Sequence, residues 1–122
     1  MSSIRETVMN YYPHIDRADT AWVLSLFSED AVYMRADVTY SGLSAIRTFF
    51  CHDRQIRGVH LINELWADDK TLTVFATGVF EGVGAAGDAR AVRFADIWQF
   101  NKKRQVRKRQ TYLGLGHAYV ER

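Results

Sequence analysis

The sequence predicts an α+β fold, with helices in the first half of the chain and an antiparallel sheet in the second. Apolar residues recur at helical spacing in three segments before about residue 52, which a first strand interrupts, and with a period of two after residue 58. Turn signals separate successive segments of the second half, as expected for hairpins. Helices followed by hairpin-linked strands are typical of an α+β domain. Because no linker, repeat or low-complexity segment interrupts residues 1–122, they are assigned to a single domain.

The first predicted helix covers Ile4 to Ile15, where the apolar side chains fall on one helical face. Ser3 and Glu6 have the spacing of a capping box at its start. Pro13 removes an amide donor, so it is expected to kink or end this helix near Tyr12.

Two shorter helices are predicted next. Asp19 is a favourable N-cap for a second helix that extends to Phe27, after a break at Asp16 to Ala18. A third helix is predicted from Ser44 to His52, after the SerGly turn at 41–42.

Strands account for most of the remaining chain. Alternation and turn residues predict the following strands: Ala31 to Tyr40, Val59 to Trp66, Thr71 to Glu81, Arg90 to Phe100 and Gln105 to Leu113. GVGAAG at 82–87 is interpreted as a hairpin tip, and the C-terminal GLGHAYVER is expected to pair with the sheet or to fray.

Charge and cysteine content narrow the class of protein. The lone Cys51 fits a reducing compartment, and neither a signal-peptide pattern nor an apolar stretch of about 20 residues is present, so a cytoplasmic protein without a membrane span is predicted. The net charge is only +2, and the basic run Lys102 to Arg109 is interpreted as a solvated turn and strand face. An anionic partner is the alternative for this run, but no nucleic-acid motif accompanies it, so nucleic-acid binding is not expected.

Asp96 is the strongest candidate for a functional residue. Alternation in AVRFADIWQF places it on the same strand face as Val92, Phe94, Trp98 and Phe100. An ionised carboxylate among large apolar side chains is costly unless it is paired, so burial would favour the protonated form and suit Asp96 to acid–base chemistry. The alternative is a structural role in a buried ion pair, for which Arg109 on the last strand would be the partner.

Other polar residues could complete such a site. Tyr11 lies on the apolar side of the first helix and could aim its phenol inward, whereas Tyr12 lies on a different face and competes for that role. Arg35 and Asp37 share a strand face, where they could bind an anionic substrate or form a structural ion pair. His60 could shuttle protons, although a histidine at a strand start is often structural. No histidine pair has metal-ligand spacing with a carboxylate, so neither a metal nor another cofactor is expected.

The order of these segments resembles the nuclear transport factor 2-like superfamily, which includes SnoaL-like polyketide cyclases and ketosteroid isomerase-like enzymes. The resemblance covers nearly the whole chain and rests on these stretches: ADTAWVLSLFSEDAVYMR, YSGLSAIRTFF, HLINEL, VRFADIWQF and QVRKRQTYL. It implies a cone in which three helices close the concave face of a strongly curved, mixed or antiparallel sheet around a mostly apolar pocket. It also implies a small apolar organic ligand and a homodimer formed through the outer face of the sheet.

The resemblance also implies roles for individual residues. Tyr11 matches the tyrosine that serves as an oxyanion-hole donor in ketosteroid isomerase, and Asp96 matches the protonated aspartic acid of the same oxyanion hole. The position of that enzyme's general-base aspartate is occupied by Arg35, and His60 or Asp37 would have to supply the base. Thr111 stands where cyclases and limonene-type epoxide hydrolases carry an aspartate on the last strand.

Two functional hypotheses follow. The first is an enzyme that isomerises, cyclises or dehydrates an apolar, polyketide-like or steroid-like carbonyl compound, with Asp96, Tyr11 and His60 as catalytic residues. The residues predicted to bind its substrate are Arg35, Asp37, Phe50, Phe94, Trp98, Arg109 and Thr111. The second hypothesis is a non-catalytic ligand-binding or association domain of the same fold, because the family's base position holds an arginine.

Overall fold

Helices cover one face of a six-stranded sheet in the computed structural model of the chain. The structure describes residues 3–53, 57–83 and 86–114, so the predicted GVGAAG tip is described only in part and the GLGHAYVER stretch, apart from Gly114, lies outside the described residues. The helical elements are α1 (Ile4–Asp16), α2 (Thr20–Leu24), α3 (Leu43–Thr48) and a π-helical segment (Phe49–Asp53). The strands are β1 (Phe27–Arg35), β2 (Val38–Ser41), β3 (Arg57–Asp68), β4 (Thr73–Val83), β5 (Ala89–Phe100) and β6 (Val106–Gly114). No helix in the described ranges is long and apolar enough to cross a membrane.

The strands follow the order β2-β1-β6-β5-β4-β3, and the sheet is mixed because β1 and β6 run parallel while all other neighbours are antiparallel. The predicted α+β class is therefore confirmed. The strand expected over Ala31 to Tyr40 is two strands, because the chain reverses at Ala36, whose φ of 52° lies in the left-handed region. The second predicted helix ends at Leu24, since Phe27 already pairs with Val106 at the start of β6.

Helix α1 begins as the sequence predicts and ends later than Pro13 suggests. Ser3 and Glu6 form both halves of a capping box. Pro13 faces solvent, and the amide of Arg17 still bonds its carbonyl oxygen at 3.2 Å. The missing donor therefore affects only the solvent side of the helix, and α1 continues for another turn to Asp16.

The long strands separate an inner, helix-covered face from an outer face. Along β5, burial alternates as predicted, with Phe94, Asp96, Trp98 and Phe100 buried. In β3, a bulge between Ile62 and Glu64 shifts the alternation, so that His60 and Leu65 are half-buried. Trp66 shares the outer face with Phe75 and Tyr112, and all three are exposed. The homodimer that the resemblance implies through this outer face stays a prediction.

Candidate functional site

Asp96 lies at the centre of the inner face. Its cross-strand neighbours are Ala76 on β4 and Thr111 on β6, and only 1% of its surface is accessible to solvent. Helix α1 covers this region with Tyr11 and Tyr12, which are both buried. Period-two alternation explains the placement, because the aspartate shares its strand face with apolar side chains that belong to the core.

Three side chains donate hydrogen bonds to the Asp96 carboxylate. Arg109 approaches side-on, with Nη2 at 3.0 Å from Oδ2 and Nε at 3.3 Å from Oδ1. The Tyr12 hydroxyl donates to Oδ2 at 2.7 Å, and the Thr111 hydroxyl donates to Oδ1. Trp98 Nε1 donates to the Tyr12 oxygen at 3.3 Å, so the Tyr12 hydrogen is directed at Asp96. Both carboxylate oxygens therefore accept, and this geometry fits an ionised aspartate rather than the neutral donor expected from the resemblance.

The Arg109 guanidinium is enclosed by aromatic rings. Its central carbon lies 4.2 Å from the Trp98 ring centre, 4.5 Å from that of Tyr11 and 4.7 Å from that of Tyr33. Burial is the largest single influence and opposes its charge, but the Asp96 carboxylate together with the Tyr11, Tyr33 and Tyr12 phenols outweighs burial, so the pKa of Arg109 lies well above its ordinary value. The predicted partnership of Asp96 with Arg109 is thus observed as a buried, bidentate ion pair.

Both tyrosines of α1 point into the core, and each bonds one member of the Asp96–Arg109 pair. Tyr12, and not Tyr11, donates to Asp96. The Tyr11 hydroxyl accepts a bond of 2.7 Å from Arg109 Nη1. Both rings fit on the covered side because α1 lies over a curved sheet, so residues 100° apart on the helix both face side chains of the core.

The buried phenol of Tyr12 makes the stability of the protein sensitive to alkaline pH. Burial first, and the Asp96 charge second, raise the pKa of Tyr12 well above its ordinary value. The unfolded chain loses this proton near pH ~10 while the folded chain keeps it, so the stabilisation is complete below about pH 10 and is lost above it.

The free energy of unfolding should therefore fall with a slope of up to about 1.4 kcal/mol per pH unit from this group above pH ~10. Urea unfolding of wild type and Tyr12→Phe at a series of alkaline pH values measures the difference in slope. Equal slopes for the two proteins would contradict the assignment.

A second polar pair lies nearer the edge of the same face. His60 Nδ1 lies 2.6 Å from Asp16 Oδ1, and the His60 amide donates to Asp16 Oδ2 at 2.9 Å. Each side chain is 13% exposed, so the pair is mostly buried but reachable. Ring centres of Phe80, Tyr12 and Phe94 lie 4.7, 5.3 and 5.4 Å from the imidazole. The arrangement is a carboxylate–histidine pair in an aromatic setting, and it is capable of proton transfer.

Asp16 is the partner that sequence reasoning missed. The sequence predicts a break between helices at Asp16 to Ala18, whereas α1 includes Asp16 as its last residue. The available signal was the i, i+4 spacing of Tyr12 and Asp16, which puts both on the face that meets β3 once the helix continues. His60 was predicted as a catalytic residue from its residue type alone, and that role stays a prediction.

Three further predicted residues lie away from Asp96, at or near the end of β1. Arg35 ends β1 with its guanidinium carbon 5.5 Å from the Phe49 ring centre. Phe50 is buried and lies parallel to Tyr33, with ring centres 6.2 Å apart. Asp37 does not share a strand face with Arg35, because it lies in the exposed turn after β1. It is therefore poorly placed to act as the substitute base.

Several predicted binding residues belong to the closed core in this conformation. These are Phe94, Trp98, Arg109 and Thr111. A cavity of about 670 Å³ is present among the described residues, but these four side chains do not line it. It lies at the opposite end of the sheet from His60, where the start of β1 meets the β5–β6 turn. In the described part of the chain, no three histidine, cysteine or acidic residues converge as a metal site.

Comparisons with known proteins agree with this architecture. The sequence pattern of the SnoaL-like domain family matches residues 8–108. A comparison with curated proteins finds no match. An NTF2-like protein of unknown function from Burkholderia pseudomallei has a similar structure, with 18% identity, 92% of this chain and 91% of that chain covered, and a TM-score of 0.81.

Two further solved structures are similar. SalBIII, described as an epoxide hydrolase/cyclase-like enzyme with a role in pyran ring formation in the polyether salinomycin, has 14% identity, 92% and 91% coverage and a TM-score of 0.81. A protein with a ketosteroid isomerase-like fold from Catenulispora acidiphila, in complex with trimethylamine, has 17% identity, 91% and 86% coverage and a TM-score of 0.76. At such identities the likeness shows the fold alone.

Proposed function

The chain belongs to the SnoaL-like domain family, and from this premise we propose that it is a cofactor-independent acid–base enzyme acting on a small, largely apolar carbonyl compound. The reaction would be an isomerisation, a cyclisation or a dehydration, each of which can begin with removal of a proton beside a carbonyl group. The observation that carries the proposal is the His60–Asp16 pair, a polarised imidazole among aromatic rings. It supplies the base that the Arg35 position does not.

The contacts of His60 define its role. Asp16 accepts the Nδ1 proton at 2.6 Å and also the backbone amide of His60, so the ring is held in one orientation and one tautomer. The basic lone pair is then on Nε2, which would take the proton from the substrate. The Asp16 carboxylate would stabilise the imidazolium that results, and the surrounding rings would limit competing water.

Asp96 has a supporting role in this proposal. Its two oxygens are engaged by Arg109, Tyr12 and Thr111, so it is not poised to exchange a proton with a substrate. The Tyr12 ring links the two groups, since its hydroxyl bonds Asp96 while its ring packs 5.3 Å from that of His60. Asp96 and Arg109 would therefore hold Tyr12 in place, and the Tyr12 ring would in turn pack against the imidazole of His60.

Hydrogen–deuterium exchange tests the proposal without knowledge of the natural substrate. NMR in D₂O measures exchange of the α-hydrogens of 2-tetralone, 2-decalone and progesterone with and without protein. We expect wild type to accelerate exchange of at least one ketone, and His60→Gln to lower that rate by about 10²–10⁴-fold.

His14→Gln is the matched control, because His14 also pairs with an aspartate, Asp19, at 2.9 Å but lies on the solvent side near Trp22. It should leave the exchange rate unchanged. Exchange at the buffer rate with wild type, or an equal loss in both histidine variants, would overturn the proposal.

A second candidate function is a non-catalytic ligand-binding or association domain. The observation that favours it is the completeness of the Asp96 network: no buried side-chain nitrogen or oxygen in the described ranges lacks a hydrogen-bond partner. A core that is fully satisfied without a ligand leaves none of these buried polar groups in need of a hydrogen-bond partner from a substrate. Binding of the same ketones by wild type without any acceleration of exchange would identify this function.

A further inference from the structure

The inner face of the sheet becomes more accessible towards the end at which β3 begins. Along β4, Gly78 is buried, whereas Phe80 and Gly82 are half-buried. On the neighbouring β5, burial falls in the same direction, from the buried Phe94 to the exposed Arg90. Since residues two apart on a strand share a face, both trends describe the inner face, and solvent reaches this face from that end.

The cover that α1 provides ends at the same place. Near the start of the helix, Arg5 Nη1 donates to the carbonyl oxygen of Leu65 at 3.0 Å, and at its end Asp16 contacts His60. The helix therefore runs along β3 from Leu65 to His60. Gly58, the next inward residue of β3, lies beyond the last residue of α1.

Phe80 lies at this accessible end, beside His60. The two residues are direct cross-strand partners, and their ring centres are 4.7 Å apart. The imidazole also neighbours Tyr12 and Phe94, but these rings are only 1% and 7% exposed and belong to the closed core. Of the three rings, Phe80 is the one that is partly accessible, so it separates the imidazole from solvent on this side.

The glycine at position 82 makes this ring position possible. A Cβ at Gly82 would lie 2.8 and 2.9 Å from Cε2 and Cζ of Phe80, closer than a Cβ approaches another carbon in folded proteins. The ring therefore lies along β4 over the bare backbone of Gly82, whose cross-strand partner is Gly58. Because neither glycine has a side chain that would hold the ring there, Phe80 can turn about χ1 to another staggered position.

We infer that Phe80 is a specificity-determining residue of the proposed site, because its ring lies between the His60 imidazole and the accessible end of the inner face and limits what can reach that imidazole. The limit on access follows from the contacts of Phe80 and His60. Its consequence for substrates rests on the proposed function, which assigns the base to His60.

The position of Phe80 restricts the shape of the substrate near its reacting carbon. With the ring in place, the side chain of His60 is 13% exposed, so a molecule reaches it only with a slender end. A carbonyl compound whose reacting carbon lies in a small ring or an unbranched chain fits this opening, whereas bulk beside that carbon would contact Phe80. Leucine at this position keeps an apolar side chain but removes the width of the ring, so it should admit bulkier compounds.

Chemical modification of His60 tests the limit on access without any substrate. Diethyl pyrocarbonate transfers an ethoxycarbonyl group to an imidazole nitrogen, with release of ethanol and carbon dioxide, and mass spectrometry of peptides gives the rate at each histidine. We expect Phe80→Leu to raise the rate at His60 by at least about fivefold, because reactivity scales with the accessible fraction. Phe80→Trp should lower that rate by about threefold, since a wider ring covers more of the imidazole.

Two controls separate access from a loosened fold. His14 lies in the last turn of α1 and its side chain is 25% exposed, so its rate would rise with that of His60 if the end of the helix opened. Phe75→Leu shortens an outward ring of the same strand, 44% exposed, and should leave the rate at His60 unchanged. A rate at His60 within about twofold of wild type in both Phe80 variants, or an equal rise at His14, would overturn the inference.

Exchange of ketone α-hydrogens in D₂O tests the consequence for substrates and separates this inference from the proposed function. Phe80→Leu should raise the exchange of 2-tetralone at least about tenfold more than that of cyclopentanone, which is small enough to pass the wild-type ring. Modification that depends on Phe80, without His60-dependent exchange of either ketone, would support the limit on access and contradict the enzyme. Exchange that depends on His60, with the same ketone preference in wild type and Phe80→Leu, would support the enzyme and contradict the role of Phe80 in specificity.

Discussion

Replacing Asp96 with asparagine is expected to lower the free energy of unfolding by about 3–5 kcal/mol, because it leaves the buried Arg109 guanidinium without its countercharge. Arg109 is only 3% exposed, so water cannot take the place of the carboxylate. The asparagine NH₂ would also face a donor where Asp96 has an acceptor, since Arg109, Tyr12 and Thr111 all donate to it. Urea unfolding with linear extrapolation measures the loss.

A matched control uses the exposed ion pair of Asp88 with Arg90, whose Oδ2–Nε distance is 2.7 Å. Asp88→Asn should produce no resolved change in stability, because an exposed pair is solvated in both states. The double variant Asp96→Leu/Arg109→Leu should recover part of the loss, since it removes both charges together. A cost below about 1 kcal/mol for Asp96→Asn would show that the pair is not the isolated, buried contact described above.

Replacing Asp16 with asparagine is expected to lower the proposed proton-transfer rate by about 10²–10⁴-fold with little change in fold. The asparagine oxygen can still accept from the His60 amide, as Asp16 does at 2.9 Å. Its NH₂ group would then face Nδ1 and favour the tautomer protonated on Nε2, which removes the base from the substrate side. The exchange rate of whichever ketone wild type accepts gives the readout, and the unfolding midpoint confirms the fold.

The chain offers a close control for this variant. Asp19 makes the corresponding contact with His14 Nδ1 at 2.9 Å, in the solvent-exposed connection between α1 and α2. Asp19→Asn should leave the exchange rate unchanged while altering the same kind of pair. If Asp16→Asn retained activity within about threefold of wild type, Asp16 would not orient the base.

Much of the fold follows from local pattern. The α+β class, the capping box at Ser3 and the long β5 strand could all be predicted, since each depends on residues close together in the sequence. The splitting of the first strand at Ala36 and the parallel pairing of β1 with β6 could not, because a positive φ at alanine and a non-local strand pair leave no periodic signal.

The sequence by itself determined that Asp96 faces the core, because strand alternation puts it among Phe94 and Trp98. The sequence also named Arg109 as the partner in the alternative, structural role, but only the tertiary structure decided that this ion pair forms and that Tyr12, rather than Tyr11, is the phenol that donates to Asp96. Alternation defines a direction within one strand, whereas side-chain partners depend on how a helix is set over a sheet.

The His60–Asp16 pair shows most clearly which features follow from the sequence and which depend on the tertiary structure. The two residues are 44 positions apart, and the pattern around each gives no indication of the other. They meet because α1 continues past Pro13 and because His60 lies inward on β3 before the bulge. Residue type and periodicity thus determined which side chains are available for chemistry, and the docking of α1 on β3 decided which of them act together, because that contact depends on packing across the whole domain.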